Sequence, residues 1–431
     1  VTLTTDDTQV LPRQRAPLYA LYAANFISQV GDVLTLLAIP WFVLQSTGSI
    51  TQTGITAFFS TAAVAVSALF GSNLVDRVGV RRASVVSDVV SVVTVALIPL
   101  LYYTIGLPFW ALLTLVFLAG LFTTPGGTAR AAMVPDLTLL AQVRLERATA
   151  MTDGVVRIAR FIGAPLAGVL IAVIGASNLL WLDAATFAFS ALLIGTLVPG
   201  HMTATPQPEP KSAEASAKGS ASESARRYLA ELREGLRFIG RDSVLLSIVI
   251  TVMVTNLLDA GMGSVLTPAY VKHVFGSAVV QGTIIAVFGG AAFVGTLVFG
   301  TIGHRLPRRL TLGIGFTLAG APRFWALALF PIIPVLVVVY TIGGFGVGPV
   351  NPLLDTIEYE RVPVSLRARV FGTISAGATV GIPLGGLLSA GLAGWIGLQW
   401  TLLLFGAIYF LATTSLIVNP ALRGMEKPKD T

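Results

Sequence analysis

The sequence has no cysteine, only three histidines, and charged side chains at 11% of its 431 positions. Without cysteine there is no disulfide framework, no thiol nucleophile and no thiolate metal site. His201, His273 and His304 lie outside the apolar runs without metal-ligand spacing, and no P-loop glycine pattern occurs. Enzyme chemistry, a metal and a cofactor are therefore not expected. The shortage of charge excludes more, since soluble domains carry about 25% charged residues. At half that proportion, the main solvent of this chain is lipid.

What is abundant is oil: 54% of residues are hydrophobic and mean hydropathy is +0.82. Apolar runs of about 20 residues recur, each long enough to cross a hydrocarbon core as a helix. Runs such as "LLTLVFLAGLF" (112–122) do not alternate, which argues against a membrane β-barrel. The reading is an all-α polytopic membrane protein of twelve transmembrane helices. The first six are expected near 18–44, 50–72, 83–104, 108–133, 148–174 and 177–198; the second six near 243–271, 279–302, 310–330, 334–358, 368–393 and 397–418. The first run is too long for a signal peptide and reads as a retained helix.

The net charge of +7 does not point to nucleic acid, because the basic residues are spread between the runs. Arg77, Arg81, Arg82, Arg144, Arg147, Arg305, Arg308, Arg309, Arg361 and Arg367 all fall on one side under a twelve-span count. The opposite loops hold only Lys272. This bias places both termini and the central linker in the cytoplasm. The expected layout is a tail (1–17), a six-helix bundle (18–199), a linker (200–242), a second bundle (243–418) and a tail (419–431). Within the linker, "TATPQPEPKSAEASAKGSASESA" (203–225) cannot bury a core. Residues 225–242 carry Leu229, Leu232, Leu236 and Ile239 at helical spacing, opposite Arg226, Arg233 and Arg237. Such an amphipathic helix lies at the headgroup surface or stays solvated as a linker.

Sliding the second half onto the first by 228 residues lays Arg77 on Arg305, Arg81 on Arg309 and Pro135 on Pro363. It also lays the interrupted "AGLFTTPGG" (119–127) on "VGPVNPLLD" (347–355). Agreement at one offset implies two six-helix repeats running the same way across the membrane. The loop between the second and third spans holds Leu74, Asp76, Arg77, Gly79, Arg81 and Arg82. It resembles the Gly-x-Leu-x-Asp-Arg-x-Gly-Arg-Arg signature of the major facilitator superfamily, with Ser72 at the first glycine and Val80 for one arginine. The copy with Arg305, Arg308 and Arg309 is looser, with His304 for the aspartate and Pro307 for the glycine. The resemblance implies the major facilitator fold. On physical grounds Gly79 permits a tight turn, and Arg81 and Arg82 anchor the loop at the anionic leaflet. Anchoring does not require Asp76, which can latch onto a helix end or an arginine across the seam between halves.

Ionisable groups at membrane depth are costly and mark transport paths. Asn25, Gln29 and Asp32 form one stripe on the first helix; Asp153, Arg157 and Arg160 form another on the fifth; Asn256 and Asp259 lie on the seventh. Asp32 and Arg160 reach similar depth; Asp32 is expected to bind the coupling proton and, when deprotonated, to pair with Arg160 or hold a cationic part of the cargo. Asp153 is expected to pair locally with Arg157. Arg323, after Pro322 on the ninth helix, is a fourth such charge; it either faces the substrate path or snorkels, and no role is assigned to it, while Asp88 and Asp183 read as near-surface. Asp355, Glu358 and Arg367 are candidates for a cytoplasmic gate. "IGAPLAG" (Gly163, Pro165, Gly168) and "GIPLGG" (Gly381, Pro383, Gly385) are expected hinges at the interface between halves. Phe26, Trp41, Phe345 and Tyr359 are aromatic candidates for the cavity.

The stretches 31–49 and 130–150 are similar to the bacterial macrolide- and multidrug-efflux branch of the superfamily. "IGAPLAG" is similar to the antiporter signature Gly-Pro-x-x-Gly-Gly, with Ala164 and Val169 departing from it; residues 108–129 lack the charge that many drug antiporters carry. The resemblance implies export of amphipathic small molecules by alternating access, coupled to protons, in the bacterial cytoplasmic membrane. The partners are protons, membrane lipids and cargo, and the expected state is a monomer. The alternative is an importer or a lysolipid flippase without obligatory proton exchange.

Overall fold

The computed structural model describes residues 14–200 and 221–425. The outer parts of both expected tails and linker residues 201–220 lie outside the described residues, as do the side chains of Asp76 and Arg77. Among the described residues, twelve helices are long and apolar enough to cross a membrane. In the first half these are Ala16–Thr47, Ile50–Val78, Val80–Thr104, Phe109–Ala141, Leu145–Ile174 and Ala176–Leu197. In the second half they are Ser243–Val274, Ala278–Ile302, Arg308–Leu329, Ile333–Arg361, Arg367–Ile396 and Leu398–Val418. They are named below by order, first to twelfth.

Local chemistry sets their ends. The Ser49 hydroxyl accepts from Gln52 N at 3.2 Å, and Asp242 accepts from the backbone N–H groups of Val244 and Leu245, so both start helices as N-caps. Gly175 and Gly397 each turn the chain in a single residue, at φ 84° and 88°. An L side chain resists that region. They fall at corresponding places, before the sixth and twelfth helices.

Proline does not interrupt the fourth, fifth or eleventh helix, which run unbroken through Pro125, Pro165 and Pro383. The breaks come elsewhere. The tenth helix breaks around Gly348 and Pro349, and the ninth resets at Gly320. The seventh widens into π geometry over Met262–Leu266 before continuing as Thr267–Val274.

Two seams join the halves, the second helix against the eleventh and the fifth against the eighth. Both close glycine on glycine. A methyl group on Gly168 would stand 3.0 Å from Gly282 Cα, and one on Gly54 would stand 2.6 Å from the Gly386 carbonyl oxygen. Lys272 Nζ donates to the Leu44 carbonyl, and Trp41 Nε1 donates to Gln281 Oε1 at 2.5 Å. All these contacts sit at the end opposite the arginine-rich loops. The expected hinge residues therefore divide. Gly168 and the neighbouring Gly386 lie in the seams, whereas Gly163 packs on Val33 and Gly381 and Gly385 pack on the seventh helix, inside their own halves.

A further helix, Ala221–Arg241, precedes the seventh. It is neither free nor merely laid on a surface. Ile239 is buried in a cluster with Leu245, Val249, Val370 and Ile374, and Gly235 closes on Thr373 of the eleventh helix. Leu236 remains exposed.

Candidate functional site: a cavity in the second half and a carboxylate cluster in the first

A cavity of about 580 Å³ lies among the seventh to twelfth helices, within the range of small-molecule sites. Its polar centre is Asp259, which accepts from Arg323 Nη2 at 2.8 Å and from Tyr409 Oη at 3.3 Å. The Asp259 side chain is 38% exposed and that of Arg323 is 11% exposed. Because protein surrounds both, the exposure of Asp259 is to the cavity. The Arg323 guanidinium stacks over Phe288, 4.4 Å from the ring centre, a contact that lowers the cost of burying the cation. Asn256 Nδ2 donates to the Ala378 carbonyl at 2.9 Å.

The backbone break in the ninth helix builds this centre. Gly320 has no side chain, and a Cβ there would meet the Tyr409 ring at 1.9 Å. The helix restarts at Ala321 with Pro322 in its first turn, a position proline suits because its missing N–H would be unpaired anyway. Arg323 follows at once, facing Asp259.

The first half holds carboxylates instead. Asp88 is paired with Arg130 at 2.9 Å and accepts from Ser190 at 2.7 Å; both charged groups are buried. Asp183 is fully buried and accepts from the hydroxyls of Thr35 and Thr186, with no cation bonded to it among the described residues. Asp32 is half-buried one residue beyond Gly31, which packs directly on Asp183, and it lies 3.5 Å from Gln29 Nε2. Asn25 is buried on the same helix.

Several expected pairings do not form. Among the described residues no ion pair joins Asp32 to Arg160, which is exposed on the fifth helix. Matching depth does not fix the direction in which two side chains point. Asp153 and Arg157 are likewise exposed and unjoined. Asp355, Glu358 and Arg367 make no common network. Arg367 donates to the Tyr359 and Val362 carbonyls and lies over the Tyr359 ring, while the ion pairs nearby are Arg308–Glu360, Arg361–Asp242 and Arg369–Glu234. Of the expected aromatic residues, Trp41 serves the seam, and Phe345 and Tyr359 are exposed. Phe288, Phe316, Tyr340 and Tyr409 line the cavity instead.

The loop arginines have a different task. Arg81 donates to the carbonyls of Ile194 and Gly195, at the end of the sixth helix. Arg309 donates to those of Leu416 and Ile417, at the end of the twelfth. The last carbonyls of a helix lack intrahelical partners and favour a cation. The two halves thus close their last helix in the same way. Arg82 and Arg305 are exposed, and Gly79 turns the chain at φ 88°.

Comparison with known proteins agrees with this architecture. The Major Facilitator Superfamily profile matches residues 21–276 and 249–430. The chain belongs to the major facilitator superfamily. It resembles that family's bacterial multidrug-efflux members: the multidrug efflux pump Tap of Mycolicibacterium fortuitum is 29% identical over 96% of this chain and 98% of its own length. Tap of Mycobacterium tuberculosis (strain ATCC 25618 / H37Rv) is 28% identical over 96% and 95%. Among solved structures, a mutant of the nucleoside transporter NupG superposes with a TM-score of 0.73 at 13% identity, covering 95% of this chain and 100% of that one. That likeness concerns the fold alone.

Sequence reasoning singled out Asp259, Asn256 and Arg323 as polar groups at membrane depth but did not pair Asp259 with Arg323, and it set aside Asp88 and Asp183. The available signal was the Gly320–Pro322 break, which places the next charged side chain at a helix start within the membrane.

Proposed function

We propose that this chain exports lipophilic or amphipathic small molecules by alternating access, with proton entry as the driving force. The observation that carries the reading is the pair of glycine seams, closed at the arginine-poor end while a cavity with a charged centre lies deeper in the bundle. Seams made of bare backbone can part and re-form without trapping side chains, as rocking of two rigid halves requires. The bundles 18–199 and 243–418 are the rocking halves. By the positive-inside rule the arginine-rich loops, the linker 200–242 and both termini face the cytoplasm, and the Tap relatives support a bacterial cell.

Proton coupling belongs to the first half, through Asp32 together with Asp183. A buried carboxylate served only by hydroxyls carries a charge that nothing nearby cancels, and this is costly in a low-dielectric interior. A proton removes that cost. Because Gly31 presses on Asp183, a change there is transmitted to the helix that carries Asp32 and so biases one conformation over the other.

The test is accumulation of a fluorescent amphipathic dye in inverted vesicles, with and without an imposed proton gradient. The native chain is expected to accumulate dye only with the gradient. Asp32→Asn and Asp183→Asn are expected to insert and bind dye normally but to lose gradient-driven accumulation. Undiminished accumulation in both variants would overturn the coupling assignment. Gradient-independent movement by the native chain would favour the importer or flippase reading.

A further inference from the structure

We propose that the second-half cavity binds the cargo's nitrogen: it is a site for a lipophilic amine, with Asp259 receiving the ammonium and Arg323 and Tyr409 holding the carboxylate in place. The inference rests on the transport reading for its context. It is measured as equilibrium binding, however, so a failure of proton coupling leaves it standing.

Of the pair, Asp259 is more than three times as exposed as Arg323, so the carboxylate is the face shown to a ligand and the guanidinium is the backing. Arg323 spends its charge on Asp259 and on the faces of Phe288 and Tyr340, and its Nε is sealed from the cavity. Asp259 spends one oxygen on Arg323 and one on Tyr409. A carboxylate has roughly four lone-pair sites, so acceptor capacity is left facing the open space.

The surroundings suit the rest of such a molecule. Phe316, Ile285, Met262 and Val252 give the cavity apolar lining from the seventh, eighth and ninth helices. Aromatic faces also attract cations, and an apolar lining with few convergent polar groups is the usual make-up of a drug-sized site. The static ion pair has a use here. A lone carboxylate at this depth would be costly to keep charged while no cargo is bound. Arg323, paired with Asp259 at 2.8 Å, offsets part of that cost. The design also limits affinity, because a second cation has to share the carboxylate with the first. A carrier that must release its cargo gains from that.

The assignment separates the work of the two halves. Besides the paired Asp88, the first half holds Asp183, which is bonded only to hydroxyls and suits a proton, and the second holds a compensated carboxylate suited to an amine.

The experiment uses the purified full-length chain in detergent and tritiated benzhydrylamine, competed by two molecules of nearly the same shape. Diphenylmethane lacks any polar group, and benzophenone offers only an acceptor. Benzhydrylamine is expected to bind at least tenfold more tightly than either. The charge-neutral double variant Asp259→Asn/Arg323→Gln avoids an unpaired buried ion. It is expected to remain monodisperse and to bind all three within about threefold of one another. Tyr409→Phe removes one donor from the carboxylate and is expected to keep the order amine first. Equal affinity for the amine and diphenylmethane in the native chain would overturn the proposal. So would a preference for benzophenone, which would make Arg323 the recognising group, or an amine preference that survives in the double variant.

Discussion

The two halves share their scaffold and differ in their chemistry. Gly175 and Gly397 make the same one-residue turn, and Arg81 and Arg309 cap the same helix end. Gly54 and Gly282 occupy one seam position, and Gly168 and Gly386 the other. The interior polar groups follow no such rule. At the 228-residue offset Asp259 falls on Gly31 and Arg323 on Val95. The first half buries Asp88 and Asp183 and half-buries Asp32 around a buried Arg130, while the second balances one carboxylate with one guanidinium beside a cavity. Duplication has kept what closes helix ends and seams. The polar interior has been free to specialise.

Immobilising one seam gives the largest expected effect on that comparison. The chain has no native cysteine, so Thr51→Cys/Gly394→Cys introduces a single pair. A Cβ at Gly394 would lie 3.7 Å from Thr51 Oγ1, close enough for a disulfide. Oxidation is expected to abolish transport and reductant to restore it. Continued transport with the bond formed, as shown by mass spectrometry, would mean that the halves do not rock as matched bodies. A smaller effect separates structural from functional charge. Asp88→Leu alone should cost about 3–5 kcal/mol, because it leaves Arg130 buried and unpaired, whereas Asp88→Leu/Arg130→Leu should recover most of that loss. Thermal unfolding followed by tryptophan fluorescence reads both. The smallest effect tests the shared scaffold: Arg81→Gln and Arg309→Gln should each cost about 1–2 kcal/mol, the worth of a cation on helix-end carbonyls. A clearly unequal cost would break the equivalence of the halves.

The twelve helices and the repeat were legible because they depend on local properties, apolar length and a regular offset of Arg and Gly. The charge pairs were not, because each depends on azimuth and on lateral neighbours. Asp183 lies about two turns into the sixth helix and reads as near a helix end. What buries it is the first helix packed along its side, with Thr35 reaching across. Asp32 and Arg160 illustrate the converse, being alike in expected depth yet joined by no ion pair. Proline does not mark the helix breaks, for a related reason. Within a membrane the backbone groups that proline frees can be satisfied by neighbours, so the fifth and eleventh helices stay continuous, and the break went to Gly320, where Tyr409 needs the space.

The widened turn at Met262–Leu266 governs how the seventh helix divides its duties. One surplus residue in a helix rotates everything beyond it by about 100° relative to everything before it. That rotation brings Thr267 to the cavity wall, tucks Leu266 into the apolar core, and aims Lys272 at the opposite half. Residue number therefore acts as a dial between the inner chamber and the outer clasp: excising a single position there would leave every other side chain chemically intact and misalign the two at once.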